Sequence, residues 1–205
     1  MKENKRHTAV FLDRDGTINE EVGYVDRIGK LQLIPGAAEA IRRINESGMK
    51  AVVVTNQSGV ARGYFEESFV AEIHARLREI LQAEGASIDA FYFCPHHPRE
   101  GRPDYLKVCD CRKPAPGMLL RAAAELGIAP GDSYIVGDTL GDIEAGMRAG
   151  CRAVLVRTGY GEESVNLLAA GPQSGGGETV RPEHIAADLR EAVAWILEDR
   201  KERGR

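Results

Sequence analysis

No apolar run in these 205 residues approaches the roughly 18 needed to span a bilayer. The opening MKENKRHTAVFLDRDGT passes from a short polar lead straight into an apolar strand, with none of the hydrophobic region of a secretory signal. A cytoplasmic protein with no membrane partner is therefore expected. A basic excess is missing as well: 27 Lys and Arg stand against 31 Asp and Glu, a net charge of −4. That balance offers no general attraction to nucleic acid or anionic lipid, so the expected partners are small molecules. A monomer is the expected state, although the sequence says little about assembly. No internal repeat is visible. Cysteine is scarce, at four residues, too few for a disulfide-built scaffold. What is present, 43% hydrophobic and 28% charged residues, is the composition of one globular domain with one substantial core.

Short β-branched runs alternate with longer stretches of helical period, the pattern of repeated strand–helix units that build a parallel sheet with helices on both faces. This predicts a Rossmann-like three-layer α/β fold. The expected strands are 8–12, 51–55, 90–94, 133–136 and 153–157. The expected helices are 37–46, 66–84, 117–125 and 140–148, closed by Gly48, Gly85, Gly127 and Gly150. The run GPQSGGG at 171–177 reads as a flexible break. A last amphipathic helix around 189–198 follows, expected to pack as an appendage on the same domain, so residues 1–205 are expected to form one unit. The basic end, Arg200, Lys201, Arg203 and Arg205, reads as a solvated tail.

The chemistry concentrates at the carboxyl ends of the expected strands, where parallel α/β sheets bind their ligands. AVFLDRDGTIN delivers Asp13 and Asp15, AVVVTNQSG delivers Thr55 and Asn56, and SYIVGDTLGD delivers Asp138 and Asp142. Arg112-Lys113-Pro114 precedes a helix start near Pro116, which puts an ammonium where an anion also meets a helix N-terminus. Such a set offers carboxylates for a hard cation, a lysine and a hydroxyl for phosphoryl oxygens, and a further carboxyl for proton transfer. Magnesium suits it, being an oxygen-seeking ion shared between carboxylates and a substrate phosphate. Taken singly, each acid could be a surface residue or a helix cap, Asp142 above all.

DRDGT, VVVTNQ, RKP and VGDTLGD, in that order, resemble the four signature motifs of the haloacid dehalogenase superfamily of phosphohydrolases, over residues 10–159. The resemblance implies that Asp13 is the nucleophile and Asp15 the general acid and base. It implies that Thr55 and Lys113 hold the phosphoryl group, and that Asp13, the backbone carbonyl of Asp15 and Asp138 bind magnesium. Asp142 would orient Lys113 or support the metal ligands.

Cys94, His96, Cys109 and Cys111 form a Cys3His set of the kind that closes a structural zinc site, with His97 as the competing nitrogen ligand. A disulfide and unligated buried cysteines are the alternatives, and Cys151 reads as a small core residue. Between the first and third motifs no segment is left over for a cap domain, which predicts an open site. Its specificity would come from the 21–24 loop, the 59–64 loop and the zinc loop.

Within that superfamily, the capless layout, the zinc loop ending at Arg112-Lys113 and the run TNQSGVARGYF resemble the phosphatases of sugar bisphosphates. The activity implied is hydrolysis of the C7 phosphate of a heptose 1,7-bisphosphate, through a phospho-aspartate, in the making of nucleotide-activated heptose. The alternatives are hydrolysis of histidinol phosphate, by enzymes that share the zinc loop, and a non-catalytic module that docks through its zinc knuckle. The expected substrate contacts are Asp13, Arg14, Asp15, Glu21, Val22, Gly23, Tyr24, Thr55, Asn56, Gln57, Ser58, Arg62, Arg112 and Lys113. Arg112, with Arg62 as second candidate, would bind the phosphate that is not cleaved. Thr139 departs from the pattern, since some relatives carry lysine there.

Overall fold

A computed structural model describes residues 6–171 and 180–204. Six strands form one parallel sheet in the order β3-β2-β1-β4-β5-β6: β1 (Ala9–Leu12), β2 (Lys50–Asn56), β3 (Ala90–Cys94), β4 (Tyr134–Gly137), β5 (Arg152–Val156) and β6 (His184–Ala186). The helices are α1 (Ala37–Glu46), α2 (Glu67–Ala83), α3 (Gly117–Leu126), α4 (Leu140–Ala149), α5 (Gly161–Ala169) and α6 (Leu189–Glu202). Among the described residues, no helix is long and apolar enough to cross a membrane.

The sheet is buried on both sides because its strands are apolar on both sides. Val10, Leu12, Val53, Val136 and Val154 point to a layer made with Ile41 and Ile44 of α1, Leu77 of α2, and Val193 and Ile196 of α6. The alternate residues, Phe11, Val52, Val54, Ile135 and Leu155, meet Met118 and Leu119 of α3 and Ile143 of α4 on the opposite face. Such continuous apolar runs are what a doubly covered parallel strand requires. The expected strands and helices recur within one or two residues of their expected ends, and the four closing glycines all adopt positive φ.

Two elements fall outside the expected set. β6 has only three residues, HIA, too short for any period to register, yet it pairs with β5 through Leu155↔Ile185. α5, GEESVNLLA, fully buries only Gly161 and Ser164, and Val165 and Leu168, partly buried against the core, make an apolar stripe too short to register in the sequence. The last helix runs four residues past its expected end at 198, and Arg203 lies within 3.9 Å of Asp199 one turn back. Most of the 171–177 break, residues 172–177, and Arg205 lie outside the described residues.

The strand order turns about β1, whose neighbours β2 and β4 lie on either side of it. At such a reversal point the connections leave in opposite directions and open a crevice beyond the strand ends. Asp13 continues β1 and donates its N–H to Val136 O of β4 at 2.9 Å, so the first acid is tied to the neighbouring strand. Ile196 of α6 is fully buried in the layer shared with α1. Ile196→Ala should cost about 2–5 kcal/mol in urea unfolding; a loss below about 0.5 kcal/mol would show that α6 does not pack as described.

Candidate active site and metal-binding loop

An open cleft of about 270 Å³ lies at the carboxyl ends of β1, β2 and β4. Asp13, Asp15, Thr55, Lys113, Asp138 and Asp142 all line it, so the separate segments of sequence do converge. Lys113 Nζ sits 2.8 Å from Asp13 Oδ1, 2.5 Å from Asp142 Oδ1 and 2.8 Å from the Val54 carbonyl oxygen, to which it donates. Its backbone is held by a reciprocal pair with Asn56, whose Nδ2 donates to Lys113 O and whose Oδ1 accepts from Lys113 N–H, both at 3.1 Å. Asn56 thus lines the cleft but uses its amide to fix the lysine. Asp142 also accepts the Thr139 N–H at 3.0 Å, as the acidic half of a capping box that starts α4. It is therefore both a helix cap and the second anchor of Lys113.

Asp138 is held by local packing that leaves no room for side chains around it. A Cβ on Gly16 would lie 2.1 Å from Asp138 Oδ2, and one on Gly159 2.2 Å from the same atom. Both glycines also have positive φ, at 77° and 57°. Asp138 Oδ2 accepts the Tyr160 N–H at 2.8 Å, while Oδ1 is buried with no hydrogen-bond partner among the described residues. A buried carboxylate oxygen left without a donor marks a place for a cation. Asp13, Asp138 and Asp142 present oxygens within 4.8 Å of one another, a hard donor set that fits magnesium.

Crowding sets the protonation of these acids. Burial drives Asp13 up to about 7; Lys113 opposes the shift and the charge of Asp142 reinforces it. Burial, with the charges of Asp13 and Asp142, pushes Asp138 up to about 8. Lys113 is held above the usual lysine range, since Asp13 and Asp142 outweigh the effect of its burial. Asp15 moves the other way: burial would raise it, but Arg14, Asn19 and Gln57 outweigh burial and hold it below the usual carboxylate range.

Of the other expected contacts, Glu21, Gly23, Tyr24, Gln57 and Ser58 line the cleft. Glu21 accepts the Gly23 N–H, which curls the 21–24 loop on itself. Arg14, Val22, Arg62 and Arg112 do not line it. Arg14 is buried and bound to Asp15 and Gln57, and Val22 faces outward. Arg62 pairs with Glu100 and lies 3.4 Å from His97 Nε2, while Arg112 donates to His96 O at 3.1 Å. Tyr160 and Thr139 line the cleft without having been singled out as contacts. Tyr160 follows the fifth expected strand, and its position at that strand's carboxyl end was the signal available for it.

The second cluster joins Cys94 at the end of β3 to His96, Cys109 and Cys111. All four cysteines of the chain are free. Cys94 Sγ lies 3.5 Å from Cys109 Sγ, and Cys111 Sγ lies 3.2 Å from both, far beyond disulfide length. His96 Nδ1 is 3.3 Å from Cys111 Sγ. Zinc with Zn–S bonds of about 2.3 Å would set its sulfurs about 3.7 Å apart, so the set needs only a small expansion to enclose that ion. His97 is engaged elsewhere, its Nδ1 accepting the Arg99 and Glu100 N–H groups.

Comparison with known proteins agrees with this geometry. The haloacid dehalogenase-like hydrolase family matches residues 2–150, and a related HAD-hydrolase-like pattern matches 110–192. The chain belongs to the haloacid dehalogenase-like hydrolases. It is 45% identical over 192 residues, 92% of this chain and 94% of the other, to the D-glycero-D-manno-heptose-1,7-bisphosphate 7-phosphatase of Thermosynechococcus vestitus. It is 46% identical over 152 residues, 74% of this chain and 80% of the other, to the D-glycero-beta-D-manno-heptose-1,7-bisphosphate 7-phosphatase of Escherichia coli K12. Among solved structures, a D,D-heptose 1,7-bisphosphate phosphatase from B. bronchiseptica, complexed with magnesium and phosphate, superposes with a TM-score of 0.79. That protein is 32% identical, with 94% of this chain and 99% of the other covered.

The packing around Asp138 gives a direct check. Gly159→Ala must displace Asp138 or Gly16, and a misplacement of about 1 Å costs on the order of a hundredfold in rate. Phosphate release by this variant should fall by about that factor while its circular dichroism is unchanged; near-normal turnover would mean Asp138 is not held where the cleft needs it.

Proposed function

We propose that this protein is a magnesium-dependent phosphatase that removes the C7 phosphate of D-glycero-D-manno-heptose 1,7-bisphosphate, a step towards nucleotide-activated heptose. We place it in the cytoplasm as a monomer built on one catalytic domain. The observation that carries the reading is the convergence of Asp13, Lys113 and Asp138 on one cleft, with the buried Asp138 Oδ1 lacking a donor among the described residues. The substrate is the one named for relatives at 45–47% identity.

Asp13 attacks phosphorus as the bond to the sugar oxygen breaks; Asp15, which its donors hold as a carboxylate, takes up a proton beside the negative charge of the arriving phosphate and gives it to that oxygen. Water then attacks the acyl phosphate, its proton passes to Asp15, and Asp13 is released with phosphate. All three N–H groups of Lys113 are engaged before substrate arrives, one of them with Asp13. When Asp13 becomes an acyl phosphate its own negative charge is lost, and the ammonium beside it is then free to serve the phosphoryl oxygens now bonded there. Thr55 Oγ1 accepts the Gln57 Nε2–H at 3.0 Å, so its own proton remains for a phosphoryl oxygen.

Asp13, Asp138 and the backbone carbonyl of Asp15 would hold magnesium, which when bound supplies positive charge to the phosphoryl oxygens. The Asp15 side chain takes no part in that, being engaged by Arg14, Asn19 and Gln57. Cys94, His96, Cys109 and Cys111 would hold zinc as a closed structural site, since four protein ligands leave no place for water.

A purely binding module has no need of an acid, a nucleophile, a lysine and an orphaned carboxylate in one cleft. The reading is tested by kcat/KM for heptose 1,7-bisphosphate and for histidinol phosphate, each with magnesium and then with EDTA. The heptose ester should be preferred by at least about tenfold, a difference of some 1.4 kcal/mol in transition-state binding, and EDTA should abolish turnover. Equal or reversed preference would overturn the substrate assignment, and EDTA-resistant turnover would overturn the metal.

A further inference from the structure

Arg14 stands between the two acids of the first motif yet does not reach the cleft. It is 1% exposed, one of the largest fully buried side chains of the molecule. Its guanidinium lies along the Asp15 carboxylate, with Nε 3.1 Å and Nη2 2.8 Å from Oδ1, and Nη2 2.7 Å from Oδ2. Gln57 closes the arrangement from β2: its Nε2 donates to Asp15 Oδ2 at 2.9 Å, and its Oε1 accepts from Arg14 Nη2 at 3.3 Å. Asn19 adds a third donor, Nδ2 to Asp15 Oδ1 at 2.9 Å.

A carboxylate has about four lone-pair directions, and these donors occupy both of its oxygens. A free aspartate at a cleft edge would sample several rotamers, whereas this one is fixed by a planar fork and two amides, each anchored in buried structure. The fork must be arginine for geometric reasons. A lysine offers a point charge without two parallel N–H vectors.

We infer that Arg14 is a positioning residue, not a substrate ligand: with Gln57 and Asn19 it fixes the Asp15 carboxyl at the cleft edge, in line for proton transfer to and from the oxygen that leaves phosphorus. The inference rests on the reading of Asp15 as the acid and base. It assigns the second residue of the DRDGT motif to the orientation of the third. It also separates two tasks that adjoin in sequence. Asp13 faces Lys113 and the phosphoryl group, while Asp15 is turned towards Arg14 and the leaving side.

The consequence is a specific pattern of loss. An alkyl leaving group must be protonated as it departs, whereas p-nitrophenolate departs without help. Disturbing Asp15 should therefore slow the first and spare the second, and substrate affinity should hold because Arg14 touches no substrate.

The test is single-turnover release of the leaving group by Arg14→Met, Arg14→Lys and Gln57→Leu, on the sugar bisphosphate and on p-nitrophenyl phosphate. For Arg14→Met, release from the sugar ester should fall about a hundredfold, the lower bound of what positioned acid catalysis supplies. Release from p-nitrophenyl phosphate should fall less than threefold, and KM for the sugar ester should change less than threefold. Arg14→Lys should recover part of the loss. Gln57→Leu, a near-isosteric change that removes one amide donor and leaves the arginine in place, should lower the same ratio by a smaller factor, with circular dichroism and the unfolding midpoint measured alongside because the position is buried.

A raised KM with unchanged release would make Arg14 a substrate ligand and overturn the inference, as would equal losses on both esters in the Arg14 and Gln57 variants. Acid-quenched phosphoenzyme on Asp13 is measured in parallel. Its absence from the unaltered protein would defeat the phospho-aspartate reading itself, whereas its presence with an unchanged ratio would defeat only the role of Arg14.

Discussion

Lys113 brings a single positive charge into a rim that holds Asp13, Asp138 and Asp142, and the order of that rim depends on how this charge is shared. The ammonium is buried, so each of its three N–H groups needs a partner, and Asp13, Asp142 and the Val54 carbonyl supply them. Removing one member of such a buried arrangement leaves a charge without compensation, at a cost of some 3–5 kcal/mol. One ammonium does not neutralise three carboxylates. Asp13 and Asp138 accordingly sit well above the ordinary range of their side chains, driven by burial and by neighbouring carboxylates, Asp142 in both cases. The cleft is built short of positive charge, which is the condition for taking up a divalent cation and a phosphate together.

The backbone keeps these groups close by close packing, not by long-range attraction. Gly16 and Gly159 approach Asp138 so tightly that neither position tolerates a Cβ. The capping box at the start of α4 fixes Asp142 through a bond that any stable helix start would use, and the same carboxylate serves the lysine with its other oxygen. Thr158 Oγ1 donates to Gly16 O at 2.5 Å and ties the loop after β5 to the loop after β1. Function is thus loaded onto ordinary devices of chain termination, at the one edge of the sheet where the topology leaves a crevice.

Much of this was legible in the sequence because the signals were strong and local. Apolar runs of four to seven residues, closed by glycine-ended helices, set out the α/β order. The ordered motifs placed Asp13, Asp15, Thr55 and Asp138 at strand ends and Lys113 before a helix start, and the paired spacings of Cys94, His96, Cys109 and Cys111 selected the loop cluster. What escaped depends on three-dimensional partners. Arg14 reads as one of the substrate contacts, and only the fold reveals that Asp15 and Gln57 already surround it. Arg62 and Arg112 likewise find partners in the loop that carries the cysteine–histidine cluster, at Glu100 and at the His96 carbonyl. Asn56 reads as a substrate contact and is found holding the Lys113 backbone from the cleft wall. β6 and α5 escaped for want of period, one being too short and the other too little buried.

The central claim is that Lys113 and Asp142 compensate each other within the buried rim, and a double-mutant cycle in urea unfolding tests it most directly. Lys113→Met alone should destabilise by about 3–5 kcal/mol. Adding Asp142→Asn should return at least about 1 kcal/mol of that loss, because the uncompensated carboxylate is then gone. Strictly additive losses from the two substitutions would contradict the account.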